Sequence, residues 1–192
     1  MKCLVTGGAG FIGSHIVGKL LQNNNHVVVI DNESSEANDA FNWYEDHAEN
    51  HVIDIRDFDA CLPLFEGVDC VFHLAAHSRI QLAMQRPKDC IETNYFGTYN
   101  MLECARQAGV RRFVNSSTSS SYGLLNKPPL QEDMKTDCLN PYSASKVGAE
   151  TLCEMYYRLH GLRTITLRYF NVYGPRQPLK GIYAPVIGLF EE

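Results

Sequence analysis

Lys2-Cys3-Leu4-Val5-Thr6 runs without a break into Gly7-Gly8-Ala9-Gly10-Phe11-Ile12-Gly13. The first five residues are a short, mostly apolar run bounded by glycine, the pattern of a buried strand. Beyond the glycines, Ile12, Ile16, Val17 and Leu20 recur on one side of a helix, a spacing that faces a sheet. Strand, glycine turn and helix therefore follow one another within a few residues. Gly8, Gly10 and Gly13 satisfy the dinucleotide-binding fingerprint, and Gly7, Gly10 and Gly13 satisfy a wider-spaced variant. Glycine permits the tight turn, lets backbone approach a pyrophosphate, and lets the helix lie close on the strand. Backbone N–H groups at the helix start, around Phe11 and Ile12, would then face phosphate oxygens.

Further along the chain, short strand-like runs alternate with longer segments of helical period, as in a parallel sheet crossed by helices. Strands are predicted at Lys2–Thr6, His26–Ile30, His51–Ile53, Cys70–Leu74, Arg112–Asn115 and Arg163–Leu167. Helices are predicted through Pro87–Gln107 and Pro141–His160. Asn140 as N-cap and Pro141 at the first helical position mark the start of the latter. The order predicts an α/β fold, a Rossmann doubly wound parallel sheet with helices on both faces and ligands at the carboxyl ends of its strands. The polar segments Glu33–Asn50 and Leu124–Leu139 read as long excursions from that frame.

The second strand ends in Asp31, followed by Asn32, where a ribose-binding carboxylate is expected. Between Lys19 and Arg56 there is no Lys or Arg, while carboxylates are frequent. A 2′-phosphate would meet repulsion there, so the reading is NAD rather than NADP. Asp54-Ile55 after the third strand is a candidate to hold the adenine edge and stack against it. The strongest chemical signal is Asn140-Pro141-Tyr142-Ser143-Ala144-Ser145-Lys146. Tyr142 and Lys146 stand four apart on one helix face, so an ammonium near the phenol is expected to lower its pKa and make it a general base. His73 and His77 share a metal-like spacing but fall at a strand end, and no metal is expected.

These motifs closely resemble the extended short-chain dehydrogenase/reductase family, in particular its nucleotide-sugar epimerases and dehydratases. The resemblance rests on Thr6–Gly13, Asp31, Asp54-Ile55, His73-Leu74-Ala75-Ala76, Asn94, Ser116–Gly123, Tyr142–Lys146 and Arg168–Gly174, in that order. It implies that Leu74, Ala75, Ala76 and Ser116 border the cofactor and that Asn94 steadies the nearby helix. Thr118, four residues before Tyr122, matches the family's catalytic serine or threonine, and the resemblance gives it the reacting sugar oxygen alongside Tyr142. Tyr169 falls where backbone meets the nicotinamide, Asn171 where a side chain meets the substrate's diphosphate, and Arg79 is a candidate sugar contact. The implied reaction has Tyr142 take a hydroxyl proton while NAD⁺ accepts hydride, giving a 4-keto sugar. Dehydratases carry an Asp-Glu pair directly after the catalytic threonine, whereas this chain has Ser119 and Ser120. The expectation is therefore 4-epimerisation of a UDP-hexose type substrate. Dehydratase, decarboxylase or reductase chemistry, or a non-catalytic NAD(H) sensor, are the alternatives. Relatives pair through the helices matching Asp89–Gln107 and Pro141–His160, which implies a homodimer.

Composition limits the other classes. The net charge of −5 and pI near 5.8 provide no basic field for nucleic acid or an acidic membrane. Seven scattered cysteines without a Cys-x-x-Cys pair read as reduced thiols in a cytoplasmic protein. No apolar run reaches transmembrane length. Residues 1–178 are expected to form the NAD-binding domain with the catalytic residues. Residues 179–192, with Val186, Ile187, Leu189 and Phe190 at helical spacing, would begin a substrate-binding region of which this chain holds only the start. Measurable NAD binding with weak nucleotide-sugar affinity follows.

Overall fold

The computed structural model describes residues 1–35 and 42–177. Six parallel strands form one sheet: β1 (Lys2–Thr6), β2 (His26–Asp31), β3 (Glu49–Val52), β4 (Cys70–His73), β5 (Arg112–Thr118) and β6 (Arg163–Tyr169). Their order is β3-β2-β1-β4-β5-β6. The chain winds outward from β1 in one direction and then from β4 in the other, which opens a crevice between β1 and β4 at the carboxyl ends. This is the expected Rossmann sheet.

Between the strands lie α1 (Phe11–Gln22), α2 (Phe58–Cys61), α3 (Ile80–Gln85), α4 (Pro87–Ile91), α5 (Thr98–Gln107) and α6 (Pro141–His160). The segment predicted as one helix through Pro87–Gln107 is α4 and α5 joined by a π turn at Glu92–Gly97, a one-residue widening that periodicity does not reveal. α6 begins as its sequence indicates. Asn140 Oδ1 accepts from the Ser143 N–H at 2.9 Å and Ser143 Oγ returns to the Asn140 backbone, a reciprocal cap.

Because parallel strands in register share faces, the ladder sorts the core into two layers. Leu4, Val71 and Phe113 face α5 and α6 with Met101, Leu102, Leu152 and Tyr156. Val5, Val27 and Val29 face α1 through Val17. Strand bounds differ from the sequence reading where polar residues extend the ladder. β5 continues through Ser116, Ser117 and Thr118, paired with Leu167, Arg168 and Tyr169. β3 starts at Glu49, two residues early, inside the excursion read as loop. Of the segment 179–192, and of residues 36–41 within the first excursion, nothing is described. Among the described residues no helix is long and apolar enough to cross a membrane.

Candidate active site

The glycine turn explains most of its own glycines. Gly7 has φ +70°, and a Cβ there would stand 2.7 Å from the Ala75 nitrogen. A Cβ on Gly13 would lie 2.0 Å from the Gly7 carbonyl oxygen, and one on Gly8 2.7 Å from Val29 Cγ1. Close packing of turn, helix and strands requires these three. Gly10 is different: its φ of −79° suits any residue, and a Cβ would meet only the Gly7 carbonyl oxygen, at 3.3 Å. The protein itself gives little reason for glycine at that place, whereas a phosphate approaching the backbone does. No side chain caps α1, and its first turn carries no acidic residue. Phe11 and Ile12 therefore start a helix whose N–H groups and positive dipole end suit an anion.

At the end of β2, Asp31 Oδ2 accepts from the Ala9 N–H at 3.0 Å and Oδ1 from the Glu33 N–H at 2.9 Å. The carboxylate thus braces the glycine turn. Burial pushes its pKa up, opposed by these backbone donors. Asn32 donates to Asp54 Oδ2 at 2.9 Å, and Arg56 grips the same carboxylate at 2.7 Å. Arg56 holds the Asp54 pKa down to about 2. Two expectations are corrected here. Arg56, which bounds the stretch free of basic residues, folds its guanidinium onto Asp54 two residues before it, so a basic group does stand beside these carboxylates. Ile55 is 3% exposed and packs in the core against Gly97, so stacking on a base is not open to its side chain; its backbone is what remains for a ligand.

Across the crevice, Leu74 and Ala75 donate their N–H groups to Thr6 Oγ1 at 3.2 Å. Ala76 follows them, and Arg79 stands at the N-cap of α3. Asn94 lies in the π turn, fully buried. Its Oδ1 accepts from the His77 N–H at 2.7 Å, and its Nδ2 donates to the His77 carbonyl and to Ser145 Oγ. The side chain so pins the loop after β4 to the start of α6. His73 is completely buried between Thr6 and Thr98. Burial drives its pKa down to about 3, so it stays neutral with both ring nitrogens engaged, and a metal pair with His77 is not formed. Among the described residues no cluster of His, Cys, Asp or Glu is assembled for a metal.

Thr118 ends β5 and Tyr142 lies in the first turn of α6, with the Thr118 side chain close enough to favour the phenolate form. Ser116, on the same strand, is nearly buried, and Lys146, one turn along α6, is 3% exposed. Tyr169 closes β6 and Asn171 follows it, exposed. The structure therefore brings Thr118, Tyr142 and Lys146 to one end of the sheet. It does not show the expected electrostatics. Burial raises the Tyr142 pKa, with only the Thr118 hydrogen bond opposing. Burial also lowers Lys146 to about 8. Desolvation penalises both charged forms more than either group offsets for the other.

One pair went unnoticed in the sequence. Glu150, four residues after Lys146, holds Arg168 of β6 through contacts of 2.7–3.2 Å and accepts from Ser117 Oγ at 2.5 Å. Arg168 also lies over the Tyr122 ring at 5.1 Å and reaches the Glu132 carbonyl at 3.3 Å. Helix, two strands and the second excursion meet there. The i to i+4 spacing of Lys146 and Glu150 was visible, but the partner that matters comes from a distant strand. That excursion is itself folded back, with Asp137 Oδ2 accepting from the N–H groups of Leu124 and Leu125 at 2.9 Å.

The same arrangement recurs in known proteins. The GDP-mannose 4,6 dehydratase family pattern matches residues 4–187. A putative UDP-glucose 4-epimerase of Methanocaldococcus jannaschii is 40% identical over 189 residues, which are 97% of this chain and 61% of the relative. The crystal structure of UDP-glucose 4-epimerase from Thermotoga maritima with UDP-glucose superposes with a TM-score of 0.93 at 37% identity. That match covers 99% of this chain and 62% of the other. The dTDP-glucose 4,6-dehydratase DesIV of Streptomyces venezuelae, solved with NAD, gives 0.85 at 35% identity over 95% and 60% of the two chains. This chain thus spans about three fifths of the length of these relatives. By pattern, sequence and fold together, it belongs to the extended short-chain dehydrogenase/reductase family of nucleotide-sugar epimerases and dehydratases.

Proposed function

We propose that the protein contributes the NAD-binding and catalytic half of a nucleotide-sugar 4-epimerase acting on a UDP-hexose. The observation that carries this reading is the Thr118–Tyr142–Lys146 group at the same carboxyl end of the sheet as a glycine turn whose Gly10 meets only one protein atom, at 3.3 Å. NAD⁺, when bound, accepts and returns a hydride. Gly7, Gly10, Gly13 and the start of α1 would hold its pyrophosphate, and Asp31 with Asn32 and Asp54 would border its adenosine. Lys146 would reach the nicotinamide ribose. Tyr142 would take the proton from the sugar hydroxyl at its phenol oxygen, with Thr118 hydrogen-bonding the same sugar oxygen. Burial raises the phenol pKa in the protein by itself, so Tyr142 would act as base near neutral pH once the bound ligand brings a positive charge beside it. Ser119 and Ser120 place no carboxylate next to Thr118, which favours returning the hydride over expelling water. The likeness to DesIV keeps dehydration as the second reading. The homodimer expected from the resemblance belongs to this proposal, as do NAD rather than NADP and the cytoplasm as the site of action.

The test is a panel of UDP-, GDP- and dTDP-sugars incubated with the protein and NAD⁺. The expected product is a C4 epimer of unchanged mass with no NADH accumulating. Loss of water or carbon dioxide would assign one of the other family reactions, and bound NAD without any hydride transfer would favour the sensor. Tyr142→Phe should abolish turnover while leaving NAD affinity largely intact, since only the proton acceptor is removed. Full turnover in that variant would refute the mechanism.

A further inference from the structure

Buried hydrogen bonds, joined through the Asn94 residue itself, form a strut from the glycine turn to the helix that carries Tyr142 and Lys146. Thr6 Oγ1 meets His73 Nδ1 at 2.7 Å and His73 Nε2 meets Thr98 Oγ1 at 2.9 Å. Thr98 donates to the Asn94 carbonyl at 2.6 Å, Asn94 Nδ2 donates to Ser145 Oγ at 3.0 Å, and Ser145 donates to the Tyr142 carbonyl at 2.8 Å. Thr6, His73, Asn94 and Thr98 are 0% exposed and Ser145 4%.

The direction of every bond is determined by proton counting. The single Thr98 hydroxyl proton goes to the Asn94 carbonyl, so Thr98 must accept from a protonated His73 Nε2. His73 Nδ1 is then bare and accepts from Thr6, whose oxygen meanwhile accepts from the Leu74 and Ala75 N–H groups. With the carbonyls able only to accept and each hydroxyl holding one proton, the two His73 links admit a single arrangement, while Asn94 Nδ2 is shared among Ser145 Oγ, the His77 carbonyl and Cys90 Sγ. Its place in the fold gives it a task. One end stands at the carboxyl end of β1, where the glycine turn begins. The other is the first turn of α6, which carries Tyr142 and Lys146. The π turn makes the link, since one extra residue rotates the following helix by roughly 100° and aims Asn94 and Thr98 at different neighbours.

We propose that His73 and Thr98 are positioning residues whose strut sets the separation between the glycine turn and the Tyr142–Lys146 pair. The inference rests on the dinucleotide reading above. A ligand that spans both ends should feel the strut, and one that occupies only the glycine-turn end should not. Thr98→Val keeps the side chain's shape and removes both of its hydrogen bonds. Calorimetry with NAD⁺ and with ADP separates the cases, because ADP carries the adenosine and pyrophosphate but no nicotinamide ribose.

The expected result is NAD⁺ affinity reduced about tenfold in Thr98→Val, ADP affinity unchanged, and NAD⁺ affinity restored in Thr98→Ser. Unchanged binding of both ligands would overturn the proposal. Parallel weakening of both, or no rescue by serine, would reduce the strut to a general support and also overturn it. If the wild-type protein binds neither ligand, the dinucleotide reading falls first and the strut's task with it. Should Thr98→Val fail to fold, nitrogen-15 NMR of the wild-type protein is decisive by itself. A neutral His73 ring protonated at Nε2 is required, and a proton on Nδ1 at neutral pH would break the chain at its second link.

Discussion

The two faces of the sheet are built differently. On the side of α5 and α6, the row Leu4, Val71 and Phe113 has no exposed surface, and the helices above it carry Met101, Leu102 and Cys104, likewise at 0%. On the side of α1, the row Val5, Phe72, Val114 and Ile165 begins fully buried, is half-buried at Phe72 and Val114, and ends 50% exposed at Ile165. Leu167, two residues on, is 39% exposed. Among the described residues, α1 and the segment around Tyr44 and Ala48 cover that face near β1 and β2, and little covers it beyond β4. Among the described residues, the face that carries α6 with Tyr142 and Lys146 is therefore sealed, while its opposite is sealed mainly under the glycine turn. Burial is concentrated on the face that holds the proposed catalytic side chains.

The largest expected effect follows from that contrast. Phe113→Ala removes a fully buried ring from the closed face and should lower stability by about 3–5 kcal/mol, measured by urea denaturation. A loss under 1 kcal/mol would mean that the closed face is loosely packed and the contrast false. The glycine turn sharpens the comparison from within. Gly13→Ala drives a Cβ onto the Gly7 carbonyl and should destabilise by roughly 1–3 kcal/mol or more. Gly10→Ala, whose Cβ meets only the Gly7 carbonyl oxygen, at 3.3 Å, should cost well under half of what Gly13→Ala costs while weakening NAD⁺ binding more than about tenfold. Equal behaviour of the two variants would remove Gly10's assignment to a ligand.

Lys146 supplies a test in the opposite direction. Its folded pKa, about 8 against 10.5 for the free side chain, is depressed by burial. The unfolded chain thus keeps its proton to higher pH than the folded one. Stability from this group should rise as pH climbs from about 8 to about 10.5, and below that window the buried ammonium disfavours folding. Lys146→Met should raise the melting temperature near neutral pH, flatten that alkaline rise and weaken NAD⁺ binding. A less stable variant would show that unseen partners already compensate the charge.

What the sequence disclosed tracks how local each cause is. The β1 turn, the alternation of strands and helices, and the Asn140 cap each depend on residues within a few positions, and each stands where its pattern placed it. The places of Tyr142 and Lys146 on one helix face were legible from their spacing, and that of Thr118 at a strand end from the family resemblance. The tuning was not. Glu150 on Arg168 and burial of the Tyr142 phenol depend on how separate segments pack, as does the π turn that aims Asn94. Even His73, read as structural from its strand-end position, disclosed nothing of Thr98 as its partner, because the two meet only when α5 lies on β4.

The smallest expected effect tests the open face itself. Ile165→Thr and Leu167→Thr keep β-branched or strand-compatible shapes on β6 while exchanging half-exposed apolar surface for a hydroxyl that water can reach. If that face is as open as the described residues leave it, each change should alter stability by no more than about 0.5 kcal/mol. The cost at Phe113 should be several times larger. A loss approaching that of a core residue, about 2 kcal/mol or more, would mean that something covers β5 and β6 in solution. Residues 178–192 and a second copy of the chain can be told apart by one further measurement. Cover by a second copy makes the melting temperature rise with protein concentration, by mass action. Cover by the chain's own segment does not, and is lost when residues 178–192 are deleted.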